Sequence, residues 1–145
     1  MLAAAQVRQF VAQRLQGCAF TGGRVFEGRY HPAVEAELPC WFVGIESEDT
    51  EALSIGYPAG LETRLRLVAD GYAVSVDALE NALDTLQLQA LQALQSPQPP
   101  WQLRCVGVRR RVHDGEGQAA RQGAVTLFLE AVFITVEGDP ESIHV

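Results

Sequence analysis

The first stretch of the chain repeats its apolar residues with the period of a helix. Val7, Phe10 and Val11 share one face of residues 2–16, while most of the glutamines and arginines lie opposite. Gly17 follows as a residue suited to a helix C-terminus. The pattern therefore predicts an amphipathic helix over residues 2–16.

A second apolar stripe with the same period runs over residues 77–94. Asp77 is a suitable N-cap, and Glu80 three positions later completes a pattern like that of a capping box. The prolines within residues 96–100 stop the helix, because proline has no amide hydrogen to donate. The stripe consists of Leu79, Leu83, Leu86, Ala90 and Leu94.

Strand patterns occupy much of the remaining chain. Residues 40–46 are apolar on both faces, which predicts a central strand. Residues 61–69 alternate between apolar and charged positions, as is typical of an antiparallel sheet with one covered and one wetter face. We expect these two segments to pair as a long hairpin with an extended, charged tip. A shorter strand is predicted over residues 24–28.

Two further long strands are predicted at residues 101–112 and 124–136, on either side of a polar loop at residues 113–123. A hairpin needs only about two to five residues to turn. The longer loop orders extra backbone without burying apolar surface, so it favours a role in binding a partner. The last strand is apolar on both faces, so we expect two helices to leave part of it uncovered.

In order, these elements are a helix, three strands, a helix and two strands. They predict an α+β fold with two helices packed on one face of a mostly antiparallel or mixed five-strand sheet. A chain of 145 residues fits one such domain, which we place at residues 1–138. Residues 139–145 are short and polar, and predict a flexible C-terminal tail.

Composition is that of an ordinary globular protein, with 48% hydrophobic and 20% charged residues. No apolar run approaches the roughly 20 residues that span a bilayer, and the start does not read as a secretory signal, so a cytoplasmic protein is expected. Three widely spaced cysteines argue against a disulfide framework or a zinc site. The net charge of −7 disfavours general affinity for nucleic acid.

The sequence shows no catalytic pattern. His31, His113 and His144 are scattered, without carboxylates at metal-ligand spacing, and neither a nucleophile elbow nor a phosphate loop is present. The acids of residues 46–54 lack the spacing of a calcium loop. We therefore predict neither an enzyme nor a metal or cofactor site.

Two clusters of opposite charge supply the candidate contact residues. In a ring, the acidic cluster of one copy would meet the arginines of the next, a heterologous contact that closes by rotation. Exposed ion pairs contribute only about 0–1 kcal/mol each, so they would set the register while apolar strand surface supplied the affinity. A solvated strand end also explains the arginines, and direct contact with DNA is a lesser alternative. The candidates are Glu48, Asp49, Glu51, Arg109, Arg110, Arg111 and Arg121.

Several stretches, in this order along the chain, resemble one known family. They are the helix at 7–15 with the glycine turn after it, the hydrophobic strand that follows Pro39, the alternating strand at 61–68, the second helix, and the final pair of strands from Val108 to Thr135. In their order and in their local residue patterns they resemble the phage tail terminators, the family of the minor tail protein U of lambda-like siphophages. The resemblance covers roughly residues 7–136.

This resemblance implies a virion structural protein that caps the phage tail tube as a hexameric ring, stops its polymerisation and provides the surface for joining the head. The implied partners are further copies of the chain, the tail tube protein and a head-completion or connector protein. Genomic DNA would pass through the lumen without specific binding, helped by acidic residues that repel phosphate. The implied location is the virion tail, and the host cytoplasm during assembly.

One alternative of a different class stays open from the sequence. It is a small dimeric α+β domain that binds a ligand or acts as an enzyme. Such a domain would be a stable dimer and would have a concave pocket into which polar groups converge.

Overall fold

The structure is a computed structural model that describes residues 1–28, 38–75, 77–95, 98–113 and 121–144, with the backbone alone for His113 and Arg121. Within these ranges, two helices and six strands follow one another in the order α-βββ-α-βββ. The helices are α1 (Ala3–Gln16) and α2 (Leu79–Gln95). The strands are β1 (Val25–Glu27), β2 (Cys40–Ala52), β3 (Gly60–Ser75), β4 (Gln102–His113), β5 (Arg121–Val136) and β6 (Asp139–His144).

The six strands form one sheet. Its order is β1-β2-β3-β5-β4, and β6 pairs with β5 beyond the end of β4. β1 runs parallel to β2, and the other pairs are antiparallel. The two hairpins predicted from the sequence are therefore present, as β2–β3 and β4–β5, and the α+β class is confirmed.

Both helices lie on the same face of the sheet. α1 packs against β1 and β2, α2 packs against β3, β5 and β4, and the two helices contact each other. The core between the layers takes alternate residues of the central strands, such as Leu65, Leu67, Leu127 and Leu129, each at most 1% exposed. The apolar stripe predicted for α2 is its buried face. Full burial of one such leucine contributes about 1.5–3 kcal/mol.

Trp41 fits into this core because the neighbouring strand carries a glycine. Trp41 is directly paired with Gly71, and both residues are buried. A Cβ atom at Gly71 would lie 2.9 Å from two ring atoms of Trp41, closer than carbon atoms normally approach. The indole ring can therefore lie against β3 only where that strand has no side chain.

The prediction of five strands is wrong by one. The segment expected to be a flexible tail contains β6, which pairs with β5 at Ile134–His144 and Val136–Asp139. Gly138, with a φ of 85°, allows the chain to reverse between the two strands. This mostly polar segment joins the sheet at its edge through backbone pairing with β5, and its Ile143 packs against the core.

The start of α2 also differs from the prediction. The helix begins at Leu79, so Asp77 lies outside it and is exposed. The hydroxyl oxygen of Ser75 accepts a hydrogen bond from the Ala78 N–H at 3.1 Å, which supports the turn into the helix. Glu80 contacts Arg110 of β4, and thus makes a tertiary contact where the sequence suggested half of a capping box.

β2 is longer than predicted. It continues past the apolar segment to Ala52, so the acidic stretch is part of a strand, and every residue of it except Glu46 is paired with β3. Residues 46–52 are exposed. A strand with both faces in solvent shows no apolar alternation, and for this reason the sequence pattern indicated a loop.

Each of the strands flanking the β3–β5 pair contains a β-bulge. The extra residue is Glu46 in β2 and Val106 in β4. A bulge bends the strand and increases its twist. The two bulges lie on either side of one row of the sheet, which is formed by Ile45, Leu67, Leu129 and Cys105.

Candidate assembly surfaces

The face of the sheet opposite the helices, called the open face below, is rich in arginine. Although the whole chain has a net charge of −7, five of its eleven basic residues lie on this face. Apolar side chains accompany them, and Val68, Phe128, Val132 and Ile134 are half-buried there. The open-face arginines are Arg64, Arg66, Arg104, Arg109 and Arg111.

Arg109 and Arg111 lie on the same face of the sheet, as expected for residues two positions apart in a strand. The guanidinium of Arg109 lies 6.0 Å from the centre of the Phe128 ring on the open face. Arg111 lies on the same face, with Nη2 3.8 Å from Oδ1 of Asp70, and its side chain is 57% exposed. Both positions therefore present positive charge to solvent.

Arg110 points to the other face and binds α2. Its Nη1 donates to Oε2 of Glu80 at 3.1 Å, and its Nη2 donates to Oδ1 of Asp84 at 2.6 Å and to Oε1 of Gln87 at 3.0 Å. The side chain is only 30% exposed. Arg110 thus ties β4 to the helix within one copy, and its predicted contact with a partner stays a prediction.

Arg121 begins β5, where its backbone is paired with Ser75. Its side chain lies outside the described residues, as do residues 114–120 of the loop between β4 and β5. The contact predicted for Arg121 is therefore also a prediction that the structure leaves untested.

A second group of polar residues lies beneath the arginines of the open face. The hydroxyl of Thr126 hydrogen-bonds to the Asp70 carboxylate across the β3–β5 pair. Burial raises the pKa of the Tyr72 phenol above its usual value, the nearby Asp70 carboxylate raises it further, and Arg111 partly offsets this. The group connects β3, β5 and β4 on the face opposite the two helices.

The β2–β3 arm, defined here as residues 45–67, carries the acidic cluster. Asp49 is paired with Arg64 and Glu51 with Glu62 on the open face, and Glu48 is paired with Leu65 on the opposite face. All three acids are exposed. Within the described ranges, the carboxylates of Asp49 and Glu51 have no ion-pair partner.

The tip of this arm exposes apolar side chains. Leu53, Ile55 and Tyr57 are 53%, 106% and 77% exposed, respectively. Backbone hydrogen bonds hold the tip, since Leu53 N–H donates to Gly60 O at 2.7 Å and Glu137 N–H donates to Ala59 O at 3.0 Å. An anchored tip with uncovered apolar groups is a typical protein-binding feature. The tip was not predicted from the sequence, although three large apolar residues within a glycine- and proline-containing turn were a usable signal.

The acidic and basic clusters lie at opposite ends of the sheet. Asp49 is level with Arg64 of β3, whereas Arg111 is level with Tyr72 of the same strand. Eight residues of β-strand span about 26 Å. The clusters therefore do not meet within one copy, as a head-to-tail contact between copies requires.

Two cavities lie against the sheet. A groove of about 410 Å³ is lined mainly by Trp101, Val132, Ile134 and two prolines, with Glu62 and His144 also lining it. A smaller cavity of about 280 Å³ lies beside Gly44, between Phe42 and Val68. Among the described residues, no three His, Cys, Asp or Glu side chains are placed to hold a metal ion.

One solved structure has the same fold over nearly the whole chain. It is a chain of the virion of a native gene transfer agent (GTA) particle, with 19% sequence identity and a TM-score of 0.51. The match covers 92% of this chain and 98% of that chain. Comparisons with protein families and with curated proteins find no match.

No helix in the described ranges is long and apolar enough to cross a membrane.

Proposed function

We propose that the chain is a structural protein of a phage-like virion, which closes the tail tube as a homohexameric ring. The observation that carries this proposal is the shared fold with a chain of a GTA virion particle, over almost the full length of both chains. The resemblance of the sequence to the tail terminators supports the more specific role. In that role the ring stops polymerisation of the tube and offers its other face to a head-completion or connector protein.

The surfaces of the structure suit a protein that acts by assembly. Acids and arginines at opposite ends of one sheet allow identical copies to join head to tail. The tip of the β2–β3 arm offers apolar area, which supplies affinity that exposed ion pairs lack. We expect Glu48, Asp49, Glu51, Arg109 and Arg111 at contacts between copies or with the tube, and Arg110 and Arg121 as further candidates.

Genomic DNA would pass through the central hole without specific binding. A net charge of −7 per copy disfavours adhesion of the phosphate backbone. Any part of the acidic cluster that lined the hole would add to this repulsion. An Asp49→Lys/Glu51→Lys variant that left both ring assembly and DNA delivery unchanged would rule out this role for the cluster.

The decisive experiment adds the purified full chain to tail tubes during their growth and measures tube lengths by electron microscopy. We expect growth to stop and the chain to label one end of each tube. A matched variant, Ile55→Asp, alters the exposed tip without touching the core and is expected to cap less efficiently. Tubes that grow to the same lengths with and without the wild-type chain would contradict the proposal.

A further inference from the structure

We propose that the outer edge of β4 in one copy pairs with the outer edge of β2 in the next copy, so that the sheet continues from copy to copy. This inference rests on the proposed function, since it specifies how the copies of the ring are joined. The partner is a second copy of this chain, bound by strand addition.

Both strands have an edge available for pairing. Among the described strands, β4 is the last on its side of the sheet beside β5, and Val106, Val108 and Val112 are 51%, 43% and 43% exposed. β1 covers β2 only at residues 41–43, and in the described part of the chain the rest of β2 pairs with β3 alone. Such an edge offers unpaired N–H and C=O groups to another strand.

The strand directions favour antiparallel pairing between copies in the same orientation. Each of the neighbouring pairs β2–β3, β3–β5 and β5–β4 is antiparallel. β2 and β4 therefore run in opposite directions. When one copy follows another with its helices on the same face, β4 meets the next β2 in the antiparallel sense.

One register brings the two open-face acids of β2 opposite two of the three open-face arginines of β4. Glu51 then faces Arg109, and Asp49 faces Arg111. Both contacts form together because the two acids and the two arginines have the same spacing of two residues and the two strands run in opposite directions. On the helix side the same register places Ala52 beside Val108. A shift of one residue would move the acids to the wrong face, and a shift of two would keep only one of the two ion pairs.

The hydrogen-bond pattern of the sheet permits this register. Leu53 N–H donates to Gly60 O, so the backbone of Leu53, and of Glu51 two residues before it, turns toward β3. Glu137 N–H donates to Ala59 O. Residues of β5 whose backbone groups face β3 alternate with residues whose backbone groups face β4, and by this alternation the backbone groups of Arg109 face β5 and not the outer edge. Glu51 and Arg109 thus form a non-hydrogen-bonded pair, where side chains approach most closely. The intervening residues, such as Thr50 and Arg110, supply the hydrogen bonds between copies.

This register shifts neighbouring copies by about 26 Å along the strands, the separation of the two clusters within one copy. A ring closes with such a shift only when its strands are tilted to the ring axis, as they are in closed barrels. The pairing therefore predicts tilted strands in the ring, a feature that images of the assembled ring would show.

Charge reversal tests the pairing. An Asp49→Arg/Glu51→Arg variant carries arginines on both edges, and an Arg109→Glu/Arg111→Glu variant carries acids on both. We expect each variant alone to lose roughly ten- to a hundredfold in association, and an equimolar mixture of the two to assemble as the wild type does. Arg104→Glu, on the same face of β4 but outside the register, is the control and is expected to assemble normally.

Assembly is measured by sedimentation of the full chain and by the amount retained on purified tail tubes. Charges on edge strands can also serve to prevent pairing. In that case the reversed variants would assemble like the wild type, or the mixture would fail to recover, and either result overturns the inference. If those variants still cap tubes, the ring survives and only the edge pairing is wrong. A wild-type chain that neither self-associates nor acts on tubes refutes the proposed function itself.

A disulfide between copies tests the register directly. In a Cys105→Ser background, Glu51→Cys combined with Arg109→Cys should give a ladder of cross-linked copies on mild oxidation, because non-hydrogen-bonded pairs suit disulfide geometry. Within one copy the two positions lie at opposite ends of the sheet and cannot join. Glu51→Cys with Val108→Cys, whose side chain lies on the other face, is the matched control. A ladder no stronger than that of the control overturns the register.

Discussion

At the scale of single residues, neighbouring arginines in β4 lie on different faces of the sheet and make different contacts. The alternation of a strand was enough to predict that Arg110 points away from Arg109 and Arg111. It was not enough to predict what Arg110 meets, because the position of α2 over β4 depends on the packing of the whole core. The acids of α2 were visible in the sequence, but nothing local linked them to an arginine that follows them by about 30 residues.

Replacing Arg110 by alanine should destabilise the fold without affecting the open face. The change removes contacts to Glu80, Asp84 and Gln87, and we expect a loss of about 1 kcal/mol in the free energy of unfolding, since the partners are largely exposed. Urea denaturation measures this loss. Arg109→Ala is the control, with an expected loss of less than about 0.5 kcal/mol. Equal losses in the two variants would contradict the contact to α2.

Tyr72 should make the fold sensitive to alkaline pH. Burial and the Asp70 carboxylate raise the pKa of its phenol in the folded state, so the unfolded chain loses this proton first as the pH rises. The stabilising effect is thus complete below the unfolded pKa of about 10 and is lost as the pH rises through the folded pKa. We expect Tyr72→Phe to lose less stability than the wild type between about pH 9 and 11. Parallel unfolding curves at each pH measure the difference, and identical pH profiles would contradict this role.

At the scale of elements, the segments whose side chains are buried were predicted from the sequence, and the strand segments whose side chains are exposed were not. Both helices and the pairing of both hairpins were predicted because burial leaves a period in the sequence. The acidic half of β2 and the polar strand β6 leave no such period. Backbone pairing to β3 and β5 keeps them in the sheet, and that pairing depends on residues far away in the chain. The arm and its tip, the main candidates for assembly, were for this reason the least predictable parts.

The tip of the β2–β3 arm should act in assembly and contribute little to folding. Ile55 is fully exposed, so Ile55→Asp removes no buried contact, and the free energy of unfolding should change by less than about 0.5 kcal/mol. Binding to the tube or to other copies should weaken, because the substitution places a charge in an apolar contact. Denaturation together with a pull-down on tail tubes tests both statements. A destabilised fold, or unchanged binding, would show that the tip has another role.

At the scale of the whole molecule, the ring and the dimer hypotheses predict particles of different mass. A ring of six copies of the 15.8 kDa chain differs clearly in mass from the stable dimer expected of a small ligand-binding or enzyme domain. Native mass spectrometry of the chain, alone and released from tube ends, distinguishes them. We expect six copies, with assembly weakened by salt because the charged pairs are screened. A dimer that persists at every concentration and salt level would favour the alternative.

The two bulges have a consequence for how this chain tolerates changes in length. Glu46 and Val106 are the residues without a partner, so deleting either one would straighten its strand and still leave every later side chain on its present side. A deletion elsewhere in β2 or β4 would turn the rest of the strand over. β2 and β4 therefore each have one position where deletion of a residue alters the curvature of the strand and preserves the pattern of charges on its two faces.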